Sequence, residues 1–285
     1  MVISMENNIL KLLFTLVVAF LTSYAATPAV KLIARKMGAM DEPKDGRRMH
    51  KKAIPRLGGL AIYYGFIVSV LCFAEVDYAL LGVLLGSVVI VTVGVFDDMY
   101  DLPAWFKLLM QIVAAGLVVM FGTVIEYIEN PLFSFFGPEY FHFELISVPI
   151  TIIWIVGVTN AVNLIDGLDG LAVGVSSVAS ASLFCMSLIT QDINLMLVTA
   201  AVAGAGFGFL PYNMYPASIF MGDTGATFLG FILSTVSIMG LFKSYAIISF
   251  AVPILILAIP IFDTLFAVAR RLLKGKSPID RKSVV

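Results

Sequence analysis

Histidine, cysteine and charge are scarce in this chain, and each shortage closes off a class of function. Only His50 and His142 occur among 285 residues, and they are too far apart for a histidine-based metal spacing. Cys72 and Cys185 are the only cysteines, and both lie inside apolar runs. There they read as small hydrophobes rather than as a disulfide. Asp, Glu, Lys and Arg make up 13% of the residues. The formal net charge of −1 points to no partner, because the charges are segregated along the chain, and nucleic acid is not among the expected partners. There is no internal repeat and no separate soluble domain.

What fills the chain instead is hydrophobic sequence. Apolar residues make up 60% and the mean hydropathy is +1.00, outside the range of soluble domains. Many runs approach or exceed the ~18–20 residues that cross a bilayer. The expected fold is an all-α, polytopic integral membrane protein forming one transmembrane domain over 1–285. About nine spans are expected, near 8–27, 57–75, 78–96, 104–122, 146–163, 170–189, 194–211, 224–242 and 246–269. The first run reads as a span rather than a cleaved signal, because Glu6 precedes it and a basic loop follows.

Two linkers are long. The first, Pro28 to Arg56, carries Lys31, Arg35, Lys36, Lys44, Arg47, Arg48, Lys51, Lys52 and Arg56. The second, Gly122 to Ser147, carries Glu126, Glu129, Glu139 and Glu144 but no Lys or Arg. The tail is basic again from Arg270 onward. Basic loops stay in the cytoplasm, so the N-terminus is expected outside and the C-terminus in the cytoplasm. Alternation around Gly137-Pro138 in the acidic linker reads as a small external β-hairpin.

In that topology the polar clusters share the cytoplasmic side. Asp97, Asp98 and Asp101 end span three, and N-A-V-N-L-I-D-G-L-D-G-L from Asn160 to Leu171 joins spans five and six. Met221-Gly222-Asp223-Thr224-Gly225 precedes span eight, and Asp263 lies in span nine. Helical spacing puts Asn160 with Asn163, Asp166 with Asp169, and Asp97 with Asp101 on common faces. Clustered carboxylates repel unless a cation or proton intervenes, and Mg²⁺ is the natural cation for oxygen donors that share it with phosphates. Asp223 and the Asn163 side-chain oxygen are further donors. The Met221 turn offers backbone N–H groups to a phosphate at a helix start. Lys51 and Arg56, in H-K-K-A-I-P-R-L-G-G, are suited to a diphosphate or a lipid headgroup. The competing reading is that the carboxylates cap helices and face water, and that the cations serve only as a topology signal.

Taken together, I-P-R-L-G-G at Ile54, F-D-D at Phe96, N-A-V-N-L-I-D-G-L-D-G-L-A at Asn160, M-G-D-T-G at Met221 and P-I-F-D-T at Pro260 resemble the polyprenyl-phosphate N-acetylhexosamine-1-phosphate transferase family. The likeness covers nearly the whole chain and is closer to the UDP-GlcNAc branch. It implies transfer of N-acetylhexosamine-1-phosphate from a UDP-sugar to undecaprenyl phosphate, with release of UMP, as the first membrane step of a cell-envelope glycan. By resemblance, Asp97 and Asp98 are catalytic and Asn163 with Asp223 contacts Mg²⁺, for which Mn²⁺ can substitute. Lys51, Arg56, Asn160, Asp166 and Asp169 contact or shape the substrate site. The partners are the UDP-sugar, undecaprenyl phosphate and the bilayer of the plasma membrane, and a homodimer is compatible with this reading. The family carries a His-rich cytoplasmic loop and further helices after the F-D-T helix, whereas this chain runs from Lys274 to Val285 without them. The other expectations to weigh are a UDP-MurNAc-pentapeptide phosphotransferase and a truncated non-catalytic relative. A membrane prenyltransferase using D-D-M-Y-D and an ion-coupled transporter with midplane carboxylates are more remote.

Overall fold

A computed structural model describes residues 2–42, 53–129, 140–142 and 144–241, together with Phe266 and Arg270. Ten-residue and longer apolar stretches become helices because only a helix satisfies every backbone N–H and C=O from within its own segment. The helices are α1 (Val2–Met37), α2 (Gly59–Phe73), α3 (Tyr78–Tyr100), α4 (Ala104–Met120), α5 (Ser147–Ile165), α6 (Leu171–Thr190), α7 (Ile193–Asn213) and α8 (Gly222–Leu241). They coincide with the first eight expected spans. Six of them, α1, α3 and α5 to α8, are long and apolar enough to cross a membrane, so the chain is a mostly helical, multi-pass membrane protein. The two others, α2 and α4, are apolar but shorter. The ninth expected span, Asp263 and Lys51 lie outside the described residues.

Two short antiparallel pairs complete the fold: β1 (Met40–Asp41) with β2 (Ile54–Pro55), and β3 (Tyr127–Glu129) with β4 (Tyr140–His142). The second pair corrects the expected hairpin. Its first strand is Tyr127–Glu129, before the alternating segment, in the register Tyr127 with His142 and Glu129 with Tyr140. The first long linker also begins later than its Pro28 suggested. Helix α1 continues through Pro28 to Met37 and takes Lys31, Arg35 and Lys36 with it. Pro28 removes one N–H from the ladder, and the Thr27 hydroxyl donates to the Ser23 carbonyl at 2.7 Å in the same turn.

Helix α8 is the hub. It is buried along nearly all its length and packs against α3, α5, α6, α2 and α7. Hydroxyls in the middle of the helix are satisfied by its own backbone: Ser234 donates to the Phe231 carbonyl at 2.7 Å and Thr235 to the Ile232 carbonyl at 3.0 Å. Trp154 of α5 donates to Ser237 at 3.1 Å. On the other flank α1 lies against α2 and α7. Successive helices run in alternating directions, so the end of α3, the start of α4, the end of α5 and the start of α8 meet at one end of the bundle. At the opposite end the Asn194 side chain clasps the Glu75 backbone through two 3.0 Å hydrogen bonds.

Candidate active site at one end of the bundle

The segment after β2 is a backbone clasp. Phe220 N–H donates to the Pro55 carbonyl at 2.7 Å, Gly58 N–H to the Phe220 carbonyl at 2.9 Å and Gly59 N–H to the Met221 carbonyl at 2.8 Å. This fastens Ile54–Gly59 to the turn that starts α8. The approach is close enough that a Cβ on Gly59 would collide with the Gly225 backbone. At Gly222 the backbone turns through φ +72, and a Cβ there would strike the Arg56 carbonyl and the Asp98 carboxylate. The Gly58 and Gly59 N–H groups, which the start of α2 leaves without a partner inside the helix, are therefore satisfied by the turn before α8.

Asp98 closes the same turn from the other side. Its Oδ1 accepts the Asp223 N–H at 2.9 Å, and its Oδ2 accepts the Thr224 N–H at 3.1 Å and the Thr224 hydroxyl at 2.7 Å. The Arg56 guanidinium lies 3.3 Å from Oδ1, and the Asp98 side chain is fully enclosed. A carboxylate at a helix N-terminus satisfies orphan N–H groups and complements the helix dipole. This corrects the expectation that the start of α8 offers these N–H groups to a phosphate: a side chain from α3 already holds them.

Arg56 is likewise committed. Burial works against its charge, but Asp98, Asp223, Asp41 and Asp101 outweigh that and raise its pKa. Its contact with Asp101 is 4.0 Å, and the Asp101 side chain is 91% exposed. Asp101 leaves α3 in a left-handed cap, φ 51, so it does not continue the face that Asp97 occupies. The D-D-x-x-D reading needs one such face and does not find it here.

Asp97 faces the α4 side. Its Oδ1 accepts the Leu102 N–H at 2.8 Å, and its Oδ2 lies 2.7 Å from the Lys107 Nζ. The same ammonium lies 3.2 Å from Asp223 Oδ2, so one cation links the end of α3 to the start of α8. Sequence reasoning passed over Lys107. The signal was present: a lone lysine inside the apolar run 104–122 demands a partner.

The Asn160 stretch divides into three parts. Asn160 lies on α5, where its Nδ2 donates to the Gln111 Oε1 of α4 at 2.6 Å and to the Val156 carbonyl at 2.8 Å. Asn163 sits nearly one turn on and is half-buried. Asp166 and Asp169 do not share a helical face. Helix α5 stops at Ile165, and Gly170 takes a left-handed φ of 74 before α6 begins. Asp169 Oδ2 accepts the Ala217 N–H at 2.9 Å, and Asn213 joins it by accepting the Gly170 N–H at 3.2 Å and donating to the Ile219 carbonyl at 3.1 Å. These bonds tie the α5–α6 turn to the loop that leads into α8. Asp166 is pushed up to about 7, first by burial and then by Asp223, with Arg56 working against the rise and Asp169 adding to it. Asp166 is thus within electrostatic reach of the Asp223 and Arg56 group.

The structure therefore brings Arg56, Asp97, Asp98, Asp166 and Asp223 into one polar region and adds Lys107 and Thr224. The carboxylates lie at helix ends rather than in the mid-helix breaks that a transporter site would use. A family model described as glycosyl transferase family 4 matches residues 80–241. A probable undecaprenyl-phosphate N-acetylglucosaminyl 1-phosphate transferase of Bacillus subtilis is 40% identical over 276 residues, covering 96% of this chain and 75% of that protein. A decaprenyl-phosphate N-acetylglucosaminephosphotransferase of Mycolicibacterium smegmatis is 30% identical over 289 residues, with 92% and 70% covered. A phospho-N-acetylmuramoyl-pentapeptide-transferase of a Thermoanaerobacter species is 32% identical over 245 residues, with 80% and 75% covered. Both the clustered site and the span of these likenesses lead to one assignment: the chain belongs to glycosyl transferase family 4.

Proposed function

We propose that this chain transfers N-acetylglucosamine-1-phosphate from a UDP-sugar to undecaprenyl phosphate at the cytoplasmic face of the plasma membrane. The acceptor's phosphate oxygen attacks the sugar-linked phosphorus. A new P–O bond forms, the bond to the bridging oxygen of UMP breaks, and UMP leaves with that electron pair. The observation that carries this reading is the sharing of the Lys107 ammonium by Asp97 and Asp223, from distant parts of the chain. Two carboxylates set about one cation make a place for a charged diphosphate and its counter-ion.

Among the described residues no three His, Cys, Asp or Glu side chains gather as a metal-holding group. The oxygen donors Asp223 and Asn163 still suit Mg²⁺, or Mn²⁺, which takes one or two protein ligands and fills its shell with substrate oxygens and water. Such an ion, when bound, neutralises charge on the diphosphate. The chain's own groups do the rest. Asp98 orders the start of α8 and so aims Asp223. Lys107 supplies positive charge beside Asp97, on the side where the acceptor phosphate is held. A phosphate acceptor is already largely ionised at neutral pH, so Asp97 serves to position the acceptor and Lys107 rather than to remove a proton. Asp169 and Asn213 hold the turn that bears Asp166 at the rim of the nucleotide-sugar pocket.

The test is the purified chain in detergent with undecaprenyl phosphate, Mg²⁺ and either UDP-GlcNAc or UDP-MurNAc-pentapeptide. UMP and a lipid-linked sugar diphosphate from UDP-GlcNAc are expected. Turnover of the pentapeptide donor alone would reassign the substrate, and no UMP from either donor would overturn the reading.

A further inference from the structure

Helix α4 carries two polar groups on one face, four residues apart, that bind different parts of the site. Lys107 reaches Asp97 of α3 and Asp223 of α8. One turn on, Gln111 reaches Asn160 of α5. Gln111 is 6% exposed, and its amide makes a pair with Asn160: Asn160 Nδ2 donates to Gln111 Oε1 at 2.6 Å and Gln111 Nε2 approaches Asn160 Oδ1 at 3.5 Å. Asn160 also donates back to Val156. A buried amide among apolar helices is costly without a partner and fixes helix register when it has one. Contacts between α4 and α5 are otherwise sparse compared with those of α3 or α5 with α8. The short α4 therefore stands as a strut between the α3–α8 half of the site and the last turns of α5, which carry Asn163 and lead to Asp166.

We infer that Gln111 is a positioning residue: through Asn160 it sets the height and rotation of the end of α5 against Lys107, and thereby the distance from Asn163 and Asp166 to Asp223. The inference rests on the transferase reading and adds a residue that touches no reacting atom. Small displacements of a reacting geometry can cost about a hundredfold in rate, so the effect is expected in kcat rather than in KM.

The test compares Gln111→Met, which keeps bulk and removes the amide, with the double swap Gln111→Asn/Asn160→Gln, which restores an amide pair of the same total length. Rates are taken per folded protein in detergent with UDP-GlcNAc, undecaprenyl phosphate and Mg²⁺. Gln111→Met should lower kcat about ten- to a hundredfold with KM for UDP-GlcNAc nearly unchanged. The swap alters Asn160, itself a substrate-site residue, so it is read by distance alone. A second readout needs no substrate. Spin labels at Val113 of α4 and Ile153 of α5, both on exposed faces, report the α4–α5 distance once Cys72 and Cys185 are replaced. Gln111→Met should shift or broaden that distance, and the swap should narrow it again. Unchanged kcat and unchanged distance, or a fall in stability alone, would overturn the inference. If the unsubstituted chain releases no UMP, the transferase reading fails, and the spin-label distance alone decides whether Gln111 sets the register.

Discussion

The Asp98 carboxylate and the Asp223 backbone N–H meet at 2.9 Å across 125 residues of sequence. Through this bond and the two from Thr224, the end of α3 caps the start of α8, and the Asp223 side chain is turned toward Lys107 instead of toward its own helix end. The acidic pair Asp97-Asp98 is thus divided between two sets of partners: Asp98 caps α8 and pairs with Arg56, and Asp97 pairs with Lys107.

Asp98→Asn should unsettle the fold more than a surface change would. The amide offers a donor where three donors and a guanidinium already converge, and it leaves Arg56 without its enclosed partner. Breaking an enclosed ion pair from one side costs about 3–5 kcal/mol. Thermal unfolding in detergent should show a clear drop. A midpoint equal to that of the unsubstituted chain would remove Asp98 from its capping role.

Asp223→Asn should leave the fold largely intact, because the capping contact uses the Asp223 backbone and not its carboxylate. It should abolish Mg²⁺-dependent turnover, since the amide loses the charge that holds a hard cation. Turnover measured across an Mg²⁺ titration is the check, and an unchanged Mg²⁺ dependence would contradict the assignment.

Asp166 gives a pH dependence with a definite sign. Its folded-state value is about 7, while an unfolded chain releases the same proton near the ordinary carboxyl value of about 3.9. The folded state binds the extra proton between those values, so the contribution to stability is present below about pH 4 and is lost as pH rises through about 7. With divalent ions chelated, the unsubstituted chain should lose thermal stability from pH 5 to pH 8, and Asp166→Asn should lose less. Equal losses in the two proteins would show that Asp166 carries no such proton.

Two glycines should respond in opposite directions. A Cβ on Gly59 would collide with the Gly225 backbone, whereas one on Gly157 of α5 meets nothing within 4 Å. Gly59→Ala should destabilise by at least about 1–3 kcal/mol, the scale of overpacking. Gly157→Ala should be neutral or stabilising by up to about 1 kcal/mol, as alanine replaces glycine inside a helix. Thermal midpoints of the two variants in one detergent decide the matter, and a Gly59→Ala variant as stable as Gly157→Ala would refute the close approach.

The sequence by itself determined the membrane class and the places of eight helices, because hydrophobic length is a local property that each segment carries alone. It also singled out most of the acidic residues of the site, since carboxylates beside apolar runs stand out whatever surrounds them. Tertiary structure alone decided their partners. Nothing local to F-D-D says that Asp98 caps a helix more than a hundred residues away, that Lys107 joins Asp97 to Asp223, or that Asn160 meets Gln111. Periodicity even misled at Asp166 and Asp169, where the left-handed Gly170 and the bonds from Asp169 and Asn213 override the helical spacing. The reason is physical: spacing along a chain reports which side chains share a face, but pairing across helices depends on how the bundle satisfies its enclosed charges and N–H groups, and that is settled only when the helices meet.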